Sequence, residues 1–155
     1  MDQMIVLDYL ILNEDRHQSN FGLIRDANTL EWIGAAPIFD SGSSLGYDKL
    51  AGIILSGRGI ECKPFKKTHK EQLKLVSSFD WVDFDRLAGS RQEIQDVLEQ
   101  AGEFVDAARR NAILSTYDER LENLMALSAV QAQTDDISQD VEQDTAQDYH
   151  RYTLT

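Results

Sequence analysis

Asn13-Glu14-Asp15-Arg16-His17-Gln18-Ser19-Asn20-Phe21-Gly22, followed by Ile38-Phe39-Asp40-Ser41-Gly42, is the stretch from which the rest of the chain can be read. It offers a carboxylate at Asp15, an amide at Asn20 and a second carboxylate at Asp40 inside a turn of small residues. Hard oxygen donors of this kind suit magnesium, which takes one or two carboxylates and leaves its other positions to water or phosphate. Singly, each residue has a plain structural reading: Asp15 as part of a helix-end loop, Asp40 as a turn cap, Asn20 as a local backbone partner. Together they form a set in which one carboxylate orients a hydroxyl while Asn20 and Asp40 hold a metal against phosphate.

Working outward, Asp2–Leu12 is apolar on nearly every face and predicts a buried helix that delivers Asn13–Asn20 as a loop. Phe21–Arg25 and Thr29–Ile33 read as two strands joined by the turn residues Asp26-Ala27-Asn28. Gly34 and Pro37 then steer the chain back, so the hairpin places Asp40 beside Asn20. The Gly- and Ser-rich segment that follows, with Tyr47 and Lys49 inside it, reads as loop, and Lys63, Lys66 and Lys67 form a basic cluster. That cluster reads equally well as a meeting point for phosphate or an acidic partner and as a solvated turn.

The remainder reads as helical. Thr68-x-x-Glu71 and Ser90-x-x-Glu93 both match a capping box, the second ahead of Ile94, Val97, Leu98 and Ala101 and stopping at Gly102. A long helix follows, with Phe104, Ala108, Tyr117, Leu121 and Leu124 expected on its inner stripe. Phe79, Trp81, Phe84 and Leu87 read as core in the connection. The fold class is therefore α+β, mostly α-helical, with one small hairpin carrying the site.

At 155 residues, 42% of them hydrophobic, the chain is one domain in size with a modest core. A net charge of −12 argues against direct nucleic-acid binding and against anionic membranes. Six acids and one base fall in residues 128–155, so the tail 129–155 reads as acidic and disordered or conditionally ordered, after a domain spanning 1–128. A single cysteine, Cys62, excludes an internal disulfide and a cysteine-based zinc site, consistent with a reducing cytosol. The apolar run Met4–Leu12 is nine residues long, against about 20 needed to cross a bilayer, so the expected location is cytoplasmic. His69 and His150 stand in polar, exposed contexts and receive no role.

The motif resembles the catalytic loop of HipA-like serine/threonine kinases, whose wording Asn-x-Asp-Arg-His-x-x-Asn-Phe-Gly, hairpin, then Pro-x-x-Asp-Ser-Gly is matched by residues 13 to 42. A looser likeness to the helical C-terminal lobe of such kinases continues to about Ser128. The resemblance implies that Asp15 orients the substrate hydroxyl, that Asn20 and Asp40 bind Mg2+ and ATP phosphates, and that His17 assists at the transferring phosphate. It also implies a protein substrate. A further partner would be a separate nucleotide-cradling N-lobe or an antitoxin-like chain, because only twelve residues precede Asn13. Three departures stand out: Asn13-Glu14 replaces the usual His-Arg, Ser41 replaces the packing phenylalanine, and His17 occupies the position of a phosphate-contacting lysine. Two other readings remain open. One is a non-catalytic, partner-binding remnant; the other is a phosphoinositide kinase-like fragment, which shares the Asp-Arg-His-x-x-Asn core. Arg16 reads first as the partner of a structural carboxylate.

Overall fold

The computed structural model describes residues 1–152, with side-chain surroundings for residues 1–134. It is α+β and about 53% helical, with one two-stranded antiparallel sheet. Helix α1 (Asp2–Leu10) buries Met4, Ile5, Val6, Tyr9 and Leu10, as its uniformly apolar sequence requires. The chain then forms strands β1 (Leu23–Arg25) and β2 (Trp32–Ala35), short helices α2 (Ala51–Ser56) and α3 (His69–Leu73), and the long helices α4 (Phe84–Gln100) and α5 (Ala107–Tyr152). Among the described residues no helix is long and apolar enough to cross a membrane.

Two apolar clusters hold the helices together. The larger joins Ile5, Val6, Tyr9 and Leu10 of α1 to Leu73 of α3, to Val76 and Phe79, and to Tyr117, Leu121 and Leu124 of α5. The smaller joins Ile54 of α2 and Leu98 of α4 to Ala112, Ile113 and Leu114 of α5. Helix α5 is thus the common wall, and α1 lies across it with its C-terminal end turned toward the loop that carries Asp15. Arg120 of α5 donates to the Tyr9 carbonyl, which also accepts the Leu12 amide at the end of α1.

Several expectations are corrected by packing. The second strand covers Trp32–Ala35, not Thr29–Ile33, because the Asp26 carboxylate accepts from the Asn28 and Thr29 amides at 2.8 Å each and widens the turn as far as Glu31. Ser90 does not start a helix: α4 begins at Phe84 with Asp83 as its cap, accepting from Arg86 N at 2.9 Å. Ser90 instead turns its hydroxyl to the Leu87 carbonyl and the Tyr117 hydroxyl. Phe104 is 96% exposed and Ala108 is exposed, so the inner stripe of α5 starts at Ala112. Of the aromatic cluster, Phe79 is buried and Phe84 packs against the core, while Trp81 is 42% exposed. Helix α5 continues past residue 129 to Tyr152, and no glycine or proline follows Gly102. The side chain of His150 and residues 153–155 lie outside the described residues.

The largest correction is His69. It is 5% exposed, at the first position of α3, edge-on to the Tyr9 ring at 6.3 Å. Burial, then the neighbouring Arg120 charge, pushes its pKa down to about 3. Native His69 therefore refuses a proton that the unfolded chain accepts, between its ordinary value of 6.5 and about 3. Stability rises with pH across that window and falls as the solution is acidified, by up to about 1.4 kcal/mol per pH unit. Urea denaturation series between these limits are expected to show a shallower pH dependence in His69→Gln than in the unmutated protein. Equal slopes would remove His69 as the cause.

Candidate phosphoryl-transfer site

The site is assembled by one buried ion pair. Asp8, the buried carboxylate of α1, is 2% exposed, and Arg16 is fully buried. Arg16 Nε donates to Asp8 Oδ2 at 2.9 Å and Nη2 to Asp8 Oδ1 at 2.8 Å, a bidentate fork. The remaining donors of the guanidinium reach the Asn20 carbonyl at 3.3 Å, the Phe39 carbonyl, and Ser41 Oγ at 3.1 Å. One side chain therefore ties the end of α1, the Asn20 turn and the segment bearing Asp40 to the same point. The structural reading of Arg16 is the one its geometry shows.

Backbone geometry at this junction is unusual. Leu12 adopts φ 56, and its amide and that of Asn13 close α1 onto Tyr9 O at 3.3 Å and Asp8 O at 2.9 Å. This is a Schellman closure with leucine where glycine is usual. The left-handed conformation costs a non-glycine residue about 1–2 kcal/mol, offset by the burial of Leu12, which is 2% exposed. Asp40 and Leu45 also have φ 56, and Leu45 N donates to Ile11 O at 2.7 Å. Non-glycine residues held in this region gather where the surroundings over-determine them, and functional sites are such places. The strained turns sit on both sides of the Asn13–Asn20 loop.

The four candidate residues occupy distinct positions. His17 caps the short 3-10 turn Gln18–Asn20: its Nδ1 accepts from Ser19 N at 3.3 Å, leaving Nε2 as the N–H of the neutral ring. Asn20, 2% exposed, accepts the His17 amide on Oδ1 at 2.9 Å and donates from Nδ2 to Asp40 Oδ2. Asn20 and Asp40 are thus in direct contact across the hairpin, with the exposed Asp40 carboxylate turned to solvent. Asp15 joins the loop through its amide, which donates to Asn13 Oδ1 at 3.3 Å, and its half-exposed carboxylate meets Lys63 Nζ at 2.7 Å. The hydrogen bond from Lys63, together with its charge, holds the Asp15 carboxyl below the usual range.

Asp8, Asn13, Ser41 and Lys63 were not singled out from the sequence as parts of one site. A charged residue inside the apolar run Met4–Leu12 was the available signal for Asp8, since such a carboxylate must find a partner. Ser41, part of the Asp40-Ser41-Gly42 wording and a departure from the packing phenylalanine, accepts from Arg16. Of the basic cluster, Lys63 pairs with Asp15 and Lys67 with Glu61 at 3.0 Å. Tyr47 is 59% exposed, and Lys49 pairs with Glu14 at 3.2 Å and Asp48 at 2.8 Å.

Among the described residues no group of three or more His, Cys, Asp or Glu side chains is placed to hold a metal. Asn20 turns its NH2 toward Asp40 and its amide oxygen toward the His17 N–H, so the exposed oxygen donor of the pair is the Asp40 carboxylate. A double-mutant cycle on Asp8→Asn and Arg16→Met, read by chemical denaturation, is expected to give a coupling energy toward the upper end of about 0.5–3 kcal/mol. Arg16→Met alone should cost about 3–5 kcal/mol, because it strands the Asp8 carboxylate. Additive effects would contradict the ion pair as the anchor of the loop. No protein-family model, curated protein or solved structure matches this chain, so the chemistry of the site rests on its own geometry.

Proposed function

We propose that this chain is the metal-binding and hydroxyl-orienting lobe of a HipA-like kinase, which passes the terminal phosphoryl group of ATP to a serine or threonine hydroxyl of a protein. The observation that carries the reading is the direct Asn20–Asp40 contact, locked by Arg16 beside the Asp15 loop. Asp15 accepts the proton of the incoming hydroxyl as its oxygen bonds to phosphorus and the bond to the departing diphosphate breaks. His17 offers its Nε2–H to a phosphate oxygen, and Lys63 places an ammonium beside the same position. A bound magnesium–nucleotide supplies charge neutralisation at the phosphates. Positioning and fixed charge account for most of the acceleration in such a site.

The hairpin supports a covering partner. Leu23, Trp32 and Ile33 are 63%, 64% and 66% exposed, and Phe39, next to Asp40, is 49% exposed. Exposed apolar side chains on a hairpin beside a polar site favour cover by another protein segment. The proposed occupant is a nucleotide-cradling lobe supplied from outside residues 1–155. By themselves these residues are expected to bind nucleotide weakly and to turn over little.

The Lys63–Asp15 pair favours a second reading, a non-catalytic remnant that uses the lobe to hold a partner, since the carboxylate that must receive a proton is already engaged. Labelled-phosphate transfer in a complex that includes a nucleotide-cradling chain separates the two. The kinase reading expects Asp15→Asn to lower turnover by about 10²–10⁴-fold, the usual worth of a positioned base, with nucleotide affinity within a few-fold of the parent. Transfer that is insensitive to Asp15→Asn, or absent from the intact complex, would leave the remnant standing.

A further inference from the structure

A cavity of about 310 Å³ lies between the end of α2, the start of α3 and α5, lined by residues that take no part in the Asp15–Asp40 site. Its charged side chains are Arg120, Lys70 and Glu119, so it carries an excess of positive charge in a chain whose net charge is −12. Low-dielectric walls concentrate the field of such a pocket on an anion.

Arg120 is the notable group. Of its five N–H donors, one serves the Tyr9 carbonyl, and the guanidinium stacks on the Tyr9 ring at 4.7 Å. Among the described residues no carboxylate lies within ion-pair distance of it, Glu119 on the rim included. The other deeply placed arginine, Arg16, shows the contrast, with two bonds to a carboxylate and three to further oxygens. Beside Arg120, His69 has its Nε2 buried with no hydrogen-bond partner. Two under-used polar groups therefore line one cavity, where unpaired buried polarity is costly. Ser56 and Thr116 also line it; their hydroxyls donate to the Ile53 and Ile54 carbonyls at 3.3 Å each, long for such bonds.

We propose that this cavity binds a phosphate group, with Arg120 as its anchor and Lys70, Ser56 and Thr116 around it. The donors come from three elements and so from several sides, which suits a tetrahedral oxyanion better than a planar carboxylate gripped by one fork. The phosphate is borne either by a small molecule or by a phosphorylated side chain; the chemistry recognised is the same.

The test follows the His69 ring resonances by NMR while isotopically labelled protein is titrated with inorganic phosphate, with sodium chloride at matched ionic strength as control. A saturable His69 shift with phosphate and none with chloride is expected. Lys70→Met, on the exposed rim, should weaken binding about tenfold, the worth of one charge-assisted hydrogen bond. Arg120→Lys should weaken it further, with a thermal melt confirming that the variant folds; if it does not, the Lys70 variant decides. Titration with O-phosphoserine identifies the source: tighter binding than inorganic phosphate supports a phosphorylated side chain, and equal binding supports a free phosphate compound. A linear response matched by chloride overturns the proposal, as does an affinity within twofold of the parent in both variants. A cavity that holds only water gives the same linear response and overturns it equally.

Discussion

The bidentate pair between Asp8 and Arg16 is the constraint on which the functional end of this protein depends. Removing two opposite charges from water costs several kcal/mol for each ion, and their attraction repays this only when the geometry is good and the remaining donors are satisfied. Here they are satisfied in a way that also organises the chain. The three further bonds of Arg16 go to the Asn20 carbonyl, the Phe39 carbonyl and Ser41. The desolvation cost is met by interactions that hold two separate loops in register, so the pair acts mainly as a positioning device and only secondarily as a source of stability.

That arrangement explains why left-handed backbone is tolerated at Leu12 and Asp40. Neither residue would choose φ 56 in isolation. Leu12 is held by burial and by the closure of α1, Asp40 by its contact with Asn20 and by the fixing of its neighbours Phe39 and Ser41. The result is a carboxylate presented to solvent from a rigid base. Such presentation is what an oxygen-ligated ion requires, because a loosely held carboxylate loses its ordering entropy on each binding event.

Part of this was readable in the sequence, and the reason is local. The Asp15-to-Asn20 spacing, the hairpin and the return to Asp40 are short-range features, governed by turn residues and strand alternation. The buried α1 followed from its composition, and the Thr68 capping box formed as expected, with Glu71 N donating to the Thr68 hydroxyl at 3.3 Å. What the sequence hid was long-range. Lys63 meets Asp15 across 48 positions, and no periodicity marks the pair. His69, between Thr68 and Lys70, looked solvated, yet α1 and α5 close over it. Phe104 looked like core because it is aromatic, but the 3-10 turn Gly102–Phe104 throws it outward before α5 begins. Ser90-x-x-Glu93 had the right letters, yet Asp83 capped the helix earlier.

The proposal on which the functional reading turns is that Asn20 and Asp40, brought together by Arg16, serve as one divalent-ion site. Paramagnetic broadening by Mn2+ at low occupancy tests it most directly, read residue by residue on labelled protein. The account predicts that resonances of Asn20 and Asp40 broaden first and together, and that Arg16→Lys scatters or weakens the effect. Broadening that bypasses both residues, or reaches them no sooner than it reaches unrelated surface carboxylates, would contradict it.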